Sequence, residues 1–256
     1  MNLKKIEKNL DILIDLPLIK EHKNLFYQFN LIKEKLGNRE LQIVVLGQFK
    51  RGKTSLINSL IGKKLLPTSV VPLTSVITIL KYGQKSKALV KFLDGRNVLI
   101  EIKDLENYIT EEKNPKNIKK VDKVIIEYPS LYLKDGVQII DTPGVGSVYE
   151  HNTDVAYQFV PQADVGIFVV TADPPISEAE LSFLSSIKNH LGKIIFIQNK
   201  IDQVEKKDWG ESLEFTKKII KEKLKIKKLK IYPLSSKTAI DGKLNNDKKN
   251  YKKADF

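Results

Sequence analysis

Apolar residues recur at helical spacing through the first part of the chain, between residues 3 and 36. They are Leu10, Ile14, Leu18, Phe26, Phe29, Ile32 and Leu36. A repeat of three to four positions predicts amphipathic helix. Proline interrupts a helix and glycine favours its end, so we expect a break near Pro17 and a stop at Gly37 and Asn38. Residues 1–38 are therefore predicted to be an N-terminal helical segment.

Beyond residue 38 the pattern changes to short, nearly continuous apolar runs. Four of them lie at 41–47, 136–144, 163–172 and 192–202. Such runs are typical of strands that are buried on both faces of a parallel sheet. Helical patterns separate them, at 177–191, where Ser177 to Glu180 form a capping box, and at 211–226. Alternating strands and helices predict a doubly wound α/β domain, whose ligand lies beyond the carboxyl ends of the strands.

A second group of extended segments lies between the first two of these runs. They are SVITILKYG, KALVKFLDGRNVLIEI and DKVIIEYPS. Asp94 and Gly95 interrupt the second segment as a hairpin turn, so we expect an antiparallel extension of a mostly parallel sheet. Residues 39–256 are predicted to form one domain that is truncated or ends at its C-terminal edge.

A phosphate-binding loop, or P-loop, is predicted directly after the first apolar run. Gly47 and Gly52 are separated by four residues and followed by Lys53 and Thr54, between a strand and a helix. Glycines let backbone N–H groups surround a phosphate, the lysine bridges the β- and γ-phosphates, and the threonine hydroxyl coordinates Mg²⁺. The expected nucleotide contacts are Gly47, Gln48, Phe49, Lys50, Arg51, Gly52, Lys53, Thr54 and Ser55.

Two further segments supply the rest of the expected magnesium site. Asp141 ends the second apolar run, where a carboxylate reaches the metal through water and the Gly144 amide donates to the γ-phosphate. In the proline-interrupted stretch LLPTSVVPLTSVIT, Thr74 lies just before a strand and is the candidate to complete the metal shell and hold the attacking water. Thr68 and Ser69 are rivals for that role. The predicted metal ligands are thus Thr54, Thr74 and Asp141.

The motif Asn-Lys-Ile-Asp, residues 199–202, indicates which base is bound. The Asp202 carboxylate can accept hydrogen bonds from guanine N1–H and the 2-amino group, a donor pair that adenine lacks, so the site favours GTP over ATP. Asn199 either ties loops together or contacts the base edge, and the Lys200 stem covers the purine face. Ser235 or Ser236 is a further candidate, near guanine O6.

The composition excludes several other kinds of site and protein. Zero cysteines and three scattered histidines exclude disulfides, thiolate sites and a histidine metal cluster. No apolar run reaches the roughly 18 residues that cross a bilayer, and the charged start is unlike a signal peptide, so we expect a cytoplasmic protein. The net charge of +13 fits either a polyanionic partner or a general bias toward lysine.

Together the phosphate loop and the segments LLPTSVVPLTS, DTPGVGS, QNKID and TADPPISEAELSFL resemble the GTPase domain of dynamin-like proteins, particularly the bacterial ones. The resemblance implies a Mg²⁺-dependent P-loop GTPase that hydrolyses GTP to GDP and phosphate and forms a homodimer across its nucleotide face. It also implies that the complete protein remodels or tethers membranes, at the inner face of the membrane, through lipid-binding regions absent here. The N-terminal helices would then belong to a helical bundle built mostly from later parts of the chain.

The sequence also departs from the pattern of related GTPases. Phe49 and Lys50 stand where eukaryotic dynamins carry a catalytic Gln-Ser pair, although Gln48 is adjacent. Val145 stands where small GTPases of the Ras kind carry a glutamine that orients water. The chain stops where the family would continue into a long helical bundle, so we expect a fragment of a longer protein. The catalytic candidates are Lys50, Gln48 and Thr74.

The adjacent cations Lys50 and Arg51 leave two interpretations open. A cation near the phosphates would stabilise the charge that develops in phosphoryl transfer, whereas a solvated pair would have no catalytic role. Our hypothesis is that Lys50, ordered by dimerisation, supplies part of this charge. Two other functions stay open: a translation- or ribosome-associated GTPase, favoured by the lysine-rich stretch 217–230, and a GTP-binding switch with little hydrolysis. Without interleaved aromatics or an RNA-binding module, we expect no specific nucleic acid partner.

Overall fold

The computed structural model of the protein describes residues 3–38, 40–68, 76–144, 156–157, 159–245 and 247. Three helices form the N-terminal segment: α1 Leu3–Asp15, α2 Pro17–Glu21 and α3 Lys23–Asn38. Helices α1 and α3 contact each other, and an ion pair of 2.6 Å joins Asp11 to Lys33. The predicted break lies at Leu16, whose extended backbone is the conformation that a following proline favours. A second break, at His22, was not predicted.

Nine strands of the described residues form one sheet. They are β1 Leu41–Leu46, β2 Ile77–Tyr82, β3 Lys87–Phe92, β4 Asn97–Ile100, β5 Val121–Tyr128, β6 Val137–Asp141, β7 Val165–Thr171, β8 Lys193–Asn199 and β9 Ile231–Pro233. Their order in the sheet is β4-β3-β5-β2-β6-β1-β7-β8-β9. Strands β6, β1, β7, β8 and β9 are mutually parallel, whereas β2 is antiparallel to β6, and β3 is antiparallel to both β4 and β5. This confirms the predicted α/β class with an antiparallel extension.

Apolar side chains on both faces of the sheet explain why the central strands have continuous apolar sequences. Among the described residues there are also the helices α4 Lys53–Ile61, α5 Glu106–Ile109, α6 Glu178–Ile187, α7 Lys206–Leu224 and α8 Ser236–Leu244. Consecutive strand residues point to opposite faces. Val44 and Leu46 belong to the buried cluster that includes α6 and α7, whereas Val45 belongs to the cluster that includes α4. Within the described ranges, no helix is long and apolar enough to cross a membrane.

Local sequence signals are confirmed, although two helix boundaries differ from the prediction. Gly95 forms the hairpin turn with φ of 87°, and Ser177 and Glu180 form the capping box of α6. Helix α6 ends at Ile187, and α7 begins at residue 206 rather than 211. The first turn of α7 is mostly exposed, so apolar periodicity does not reveal it.

Candidate functional site

The phosphate loop leaves β1 at the carboxyl edge of the sheet and leads into α4. Its backbone has positive φ at Gly47 (140°), Lys50 (65°) and Gly52 (87°). Among the described residues, no backbone carbonyl accepts a hydrogen bond from the N–H groups of Lys50 and Gly52. The first N–H groups of a helix also lack partners within it, and the helix dipole makes that end positive. Within the described part of the chain these donors are thus left to a ligand, in an arrangement that suits a phosphate.

Close backbone packing holds this loop against its neighbours. A Cβ on Gly47 would lie 2.4 Å from the carbonyl oxygen of Val169, and a Cβ on Gly52 would lie 2.4 Å from Asn199 Nδ2. Both distances are far below an ordinary van der Waals contact, so a side chain at Gly47 would displace backbone, and one at Gly52 would displace the Asn199 side chain from the loop.

Lys53 lies inside the loop with its side chain buried. Its Nζ donates to the carbonyl oxygens of Gly47 at 3.0 Å and Gln48 at 3.3 Å. Burial lowers the pKa of this ammonium group from its ordinary value to about 8, against opposing effects of Asp141 and Glu180. A phosphate in the loop would stabilise the charged form, so the site is suited to an anion.

Thr54 and Asp141 meet at the position expected for magnesium. The Thr54 hydroxyl donates to Asp141 Oδ2 at 2.8 Å, and Asp141 is almost fully buried. Hydroxyl and carboxylate oxygens are ligands that Mg²⁺ prefers, with phosphate oxygens and water completing its shell. No group of three or more His, Cys, Asp or Glu side chains that could hold a metal occurs in the described part of the chain. The residues present therefore fit a magnesium ion that is bound together with phosphate.

Asn199 ties three loops together, the first of its two predicted roles. Its Nδ2 donates to the Arg51 carbonyl at 3.0 Å, and its Oδ1 accepts from the Ser236 amide at 3.0 Å. The Ser235 hydroxyl is already engaged, because it caps α8 by accepting from the Thr238 amide at 3.0 Å. The base motif and the phosphate loop are thus one connected unit.

Lys200 and Asp202 lie at the edge of this unit. The half-buried Lys200 has φ of 64°, and its Cε lies 3.9 Å from the position of a Cβ on Gly52, so its stem runs beside the phosphate loop. Burial, and then the charge of Arg51, lower the pKa of Lys200. Asp202 is exposed and shares with Ser235 a surface cavity of about 330 Å³. The structure thus brings Asp202 and Ser235, two of the residues predicted to contact the base, to the same cavity.

Arg51 does not point to solvent or into the phosphate loop. Its side chain is 4% exposed and forms an ion pair of 2.6 Å with Glu180, whose side chain is 0% exposed. The sequence predicts Glu180 only as the last residue of the capping box that begins at Ser177. Its pairing with a residue 129 positions away has no local signal. Glu180 is a residue of the site that no sequence pattern predicts.

Gln48 and Lys50, two catalytic candidates, have different surroundings. The Gln48 side-chain oxygen accepts from Arg51 Nη2 and from the Ser177 hydroxyl, each at 3.4 Å, so it is turned toward α6. Lys50 is exposed, with its Nζ 5.4 Å from the centre of the Phe49 ring. Of the two cations, Lys50 is therefore the one whose side chain is available to a phosphate or a partner.

Some predicted site residues lie elsewhere or outside the described residues. Ser55 and the rival ligand Thr68 line a small cavity of about 180 Å³ between α4 and α8. Thr74, Ser69 and Val145 fall outside the described residues, so their predicted roles stay predictions.

Replacing Gly144 with alanine is expected to weaken nucleotide binding. A Cβ at this position would lie 2.8 Å from both the N and Cα atoms of Phe49, and backbone atoms cannot yield without moving the loop. We expect a stability loss of about 1–3 kcal/mol from overpacking and an affinity loss of about tenfold, measured by thermal unfolding and nucleotide titration. Gly210→Ala, where no neighbour lies within 4 Å of the new Cβ, is the matched control. Equal affinity in Gly144→Ala and wild type would contradict the close packing.

Comparisons with known proteins agree with this geometry. A model of the Dynamin family matches residues 43–201. An uncharacterized protein in the xynA 3′ region of Caldicellulosiruptor sp. (strain Rt8B.4) is 46% identical over 223 residues, covering 87% of this chain and 56% of that protein. A bacterial dynamin-like protein of Nostoc punctiforme is 32% identical over 187 residues, covering 68% of this chain and 27% of that protein. The chain spans only part of the length of these relatives.

A solved structure shares the fold of nearly the whole chain. It belongs to an oligomerised bacterial dynamin pair described as a mechanism for the long range sensing and tethering of membranes. The TM-score is 0.68 at 24% identity, and the match covers 98% of this chain and 41% of that chain. At this identity the likeness concerns the fold alone.

Proposed function

The chain belongs to the dynamin family, and from this premise we propose that it binds GTP with Mg²⁺ and hydrolyses it to GDP and phosphate. The observation that carries the proposal is the contact of 2.8 Å between Thr54 and Asp141. Thr54 lies in the first turn of α4 and Asp141 ends β6, beside the buried ammonium group of Lys53. A hydroxyl, a carboxylate and a buried cation at the start of a helix suit a magnesium-bound triphosphate.

Each part of the site has a separate task in this proposal. The amides of the phosphate loop and Lys53 hold the β- and γ-phosphates, and Thr54 and Asp141 hold the metal. Asp202 selects guanine, and Lys200 covers the base. Bound Mg²⁺ neutralises charge on the β- and γ-phosphate oxygens. Positioning of the attacking water stays assigned to Thr74 as a prediction.

Lys50 is proposed to act in the transition state rather than in binding. Lys50→Ala is expected to lower kcat by about 10²-fold, because a lost charge near the transferring phosphate acts only when charge develops there. The Kd for GTP should change little, since Lys53 and the loop amides remain. Phosphate release and nucleotide titration measure the two effects. The exposed Lys63→Ala is the matched control, and unchanged kcat with intact binding in Lys50→Ala would show that Lys50 has no role.

Homodimerisation across the nucleotide face, and membrane tethering or remodelling by the complete protein, are further parts of the proposal. Their support is the family membership and the fold shared with the oligomerised bacterial dynamin pair. We place the complete protein in the cytoplasm, at the inner face of the membrane. The lipid-binding regions would lie outside this chain.

The experiment that tests the function measures GTP turnover against protein concentration, with and without anionic liposomes. Specific activity that rises with concentration supports catalysis by a dimer. Tight GTP binding with no phosphate release at any concentration would instead identify a switch. Preference for ATP over GTP in a parallel titration would reject the assigned base contacts.

Ion pairs compensate part of the charge of the lysine-rich stretch 217–230, on which the ribosome-associated alternative rests. This stretch covers the end of α7 and the loop before β9. Lys217 pairs with Glu214 at 2.5 Å, and Lys223 pairs with Glu178 at 3.5 Å. The absence of a specific nucleic acid partner stays a prediction, which ribosome co-sedimentation would test.

A further inference from the structure

The guanidinium of Arg51 is saturated with hydrogen bonds although it belongs to the phosphate loop. Nε and Nη2 donate to the two carboxylate oxygens of Glu180, at 2.9 and 2.6 Å. Nη1 donates to the Thr171 hydroxyl and the Pro174 carbonyl, and Nη2 also donates to the Pro175 carbonyl at 3.0 Å. A guanidinium has five N–H donors, and these contacts use all of them. Arg51 therefore has no donor left for a phosphate.

The same carboxylate also holds the backbone of the loop. Glu180 Oε1 accepts from the Gln48 amide at 3.3 Å, and Oε2 accepts from the Ser177 amide at 2.9 Å. On the other side, Asn199 binds the Arg51 carbonyl. The loop is thus attached at residues 48 and 51, whereas the amides of Lys50 and Gly52 donate to no acceptor among the described residues.

We propose that Arg51 and Glu180 are positioning residues that hold the phosphate loop in its nucleotide-binding shape before the nucleotide arrives. The inference rests on the proposed function, since it assigns the pair to the same nucleotide site. A buried ion pair contributes little net stability, because an apolar pair of similar volume is often equally stable. Its two-pronged geometry, in contrast, fixes the direction of both side chains. The role of this pair is therefore to define the geometry of the loop.

The double variant Arg51→Met with Glu180→Leu separates geometry from stability. It replaces the ion pair by apolar side chains but also leaves groups such as the Gln48 amide and the Pro174 carbonyl without these partners, so the melting temperature without nucleotide should fall by several degrees while the variant still folds. The Kd for GDP with Mg²⁺ should rise by about 10- to 100-fold, and kcat/KM for GTP should fall as much, because a displacement of about 1 Å costs about this much. Calorimetric titration and phosphate release measure these values.

Glu178→Gln is the matched control, because Glu178 lies in the same first turn of α6 but is exposed and pairs only with Lys223 among the described residues. Its Kd and kcat/KM should equal those of wild type. Equal GDP affinity in wild type and a folded double variant would overturn the inference. If the double variant does not fold, Arg51→Lys is tested instead. Lysine keeps the positive charge but cannot form the two parallel hydrogen bonds that arginine makes with Glu180, so unchanged GDP affinity in this variant would overturn the inference as well. Failure of the proposed function itself would appear in wild type, as no Mg²⁺-dependent binding of GDP or GTP.

Discussion

Replacing Lys53 with alanine is expected to lower the affinity for GTP by about 100-fold or more. Hydrogen bonds to charged groups contribute about 1.5–3 kcal/mol each, and about 1.4 kcal/mol corresponds to a factor of ten. Lys53 is proposed to bind both the β- and the γ-phosphate, so replacing it removes more than one such hydrogen bond. Arg51, the other buried cation of the loop, cannot replace Lys53, because its donors are engaged by Glu180 and neighbouring groups. Calorimetric titration with GTP and Mg²⁺ measures the change.

The melting temperature of nucleotide-free Lys53→Ala separates binding from folding. Burial lowers the pKa of Lys53 to about 8, which means that the charged form costs folding free energy at neutral pH. Removing the charge should therefore leave the melting temperature within about 5 °C of wild type. A large loss of melting temperature together with unchanged GTP affinity would show that Lys53 supports the fold and not the nucleotide. Lys64→Ala, at an exposed position beyond α4, is the control.

Replacing Asp202 with asparagine is expected to change the preferred base of the bound nucleotide from guanine to xanthine. The carboxylate accepts from two donors of guanine, whereas the asparagine NH₂ group would face one of those donors without an acceptor. Xanthine carries a carbonyl oxygen in place of the 2-amino group and can accept from this NH₂ group. Because unpaired polar groups at a recognition site cost affinity steeply, GTP binding should weaken by about 10³-fold or more.

Parallel titrations of wild type and Asp202→Asn with GTP, XTP and ATP test the base assignment. Wild type should bind GTP only, and the variant should bind XTP in preference to GTP. Asp208→Asn, an exposed carboxylate in the first turn of α7, is the control and should retain the preference of wild type. If Asp202→Asn binds GTP as tightly as wild type, Asp202 does not recognise the base.

Much of the site could be predicted because its chemistry is encoded locally. The phosphate loop needs glycines, a lysine and a hydroxyl at fixed spacing between a strand and a helix, and these lie within nine consecutive residues. Asp141 and Asn199 end apolar runs, and the ends of parallel strands lie at one edge of the sheet. Their approach to the loop, through Thr54 and Arg51, follows from this topology.

The environment of the two adjacent cations could not be predicted in the same way. Lys50 and Arg51 are consecutive and similarly charged, and the sequence left both interpretations open for each. The structure separates them, because Arg51 is buried against Glu180 while Lys50 is exposed. A cation is buried only where a carboxylate and carbonyl oxygens from distant parts of the chain accept its hydrogen bonds, and no local sequence pattern predicts this.

The sequence by itself determined the α/β class and the position of the phosphate loop, and it predicted a magnesium-binding pair and an acid that selects guanine, since strand periodicity and motif spacing are short-range properties. Only the tertiary structure decided that Asn199 ties loops together and that Gln48 turns toward α6. It also decided that Arg51 and Glu180, 129 positions apart, form one buried pair. These contacts arise where the phosphate loop packs against the ends of β7 and β8 and the start of α6, and that packing exists only after the sheet has formed.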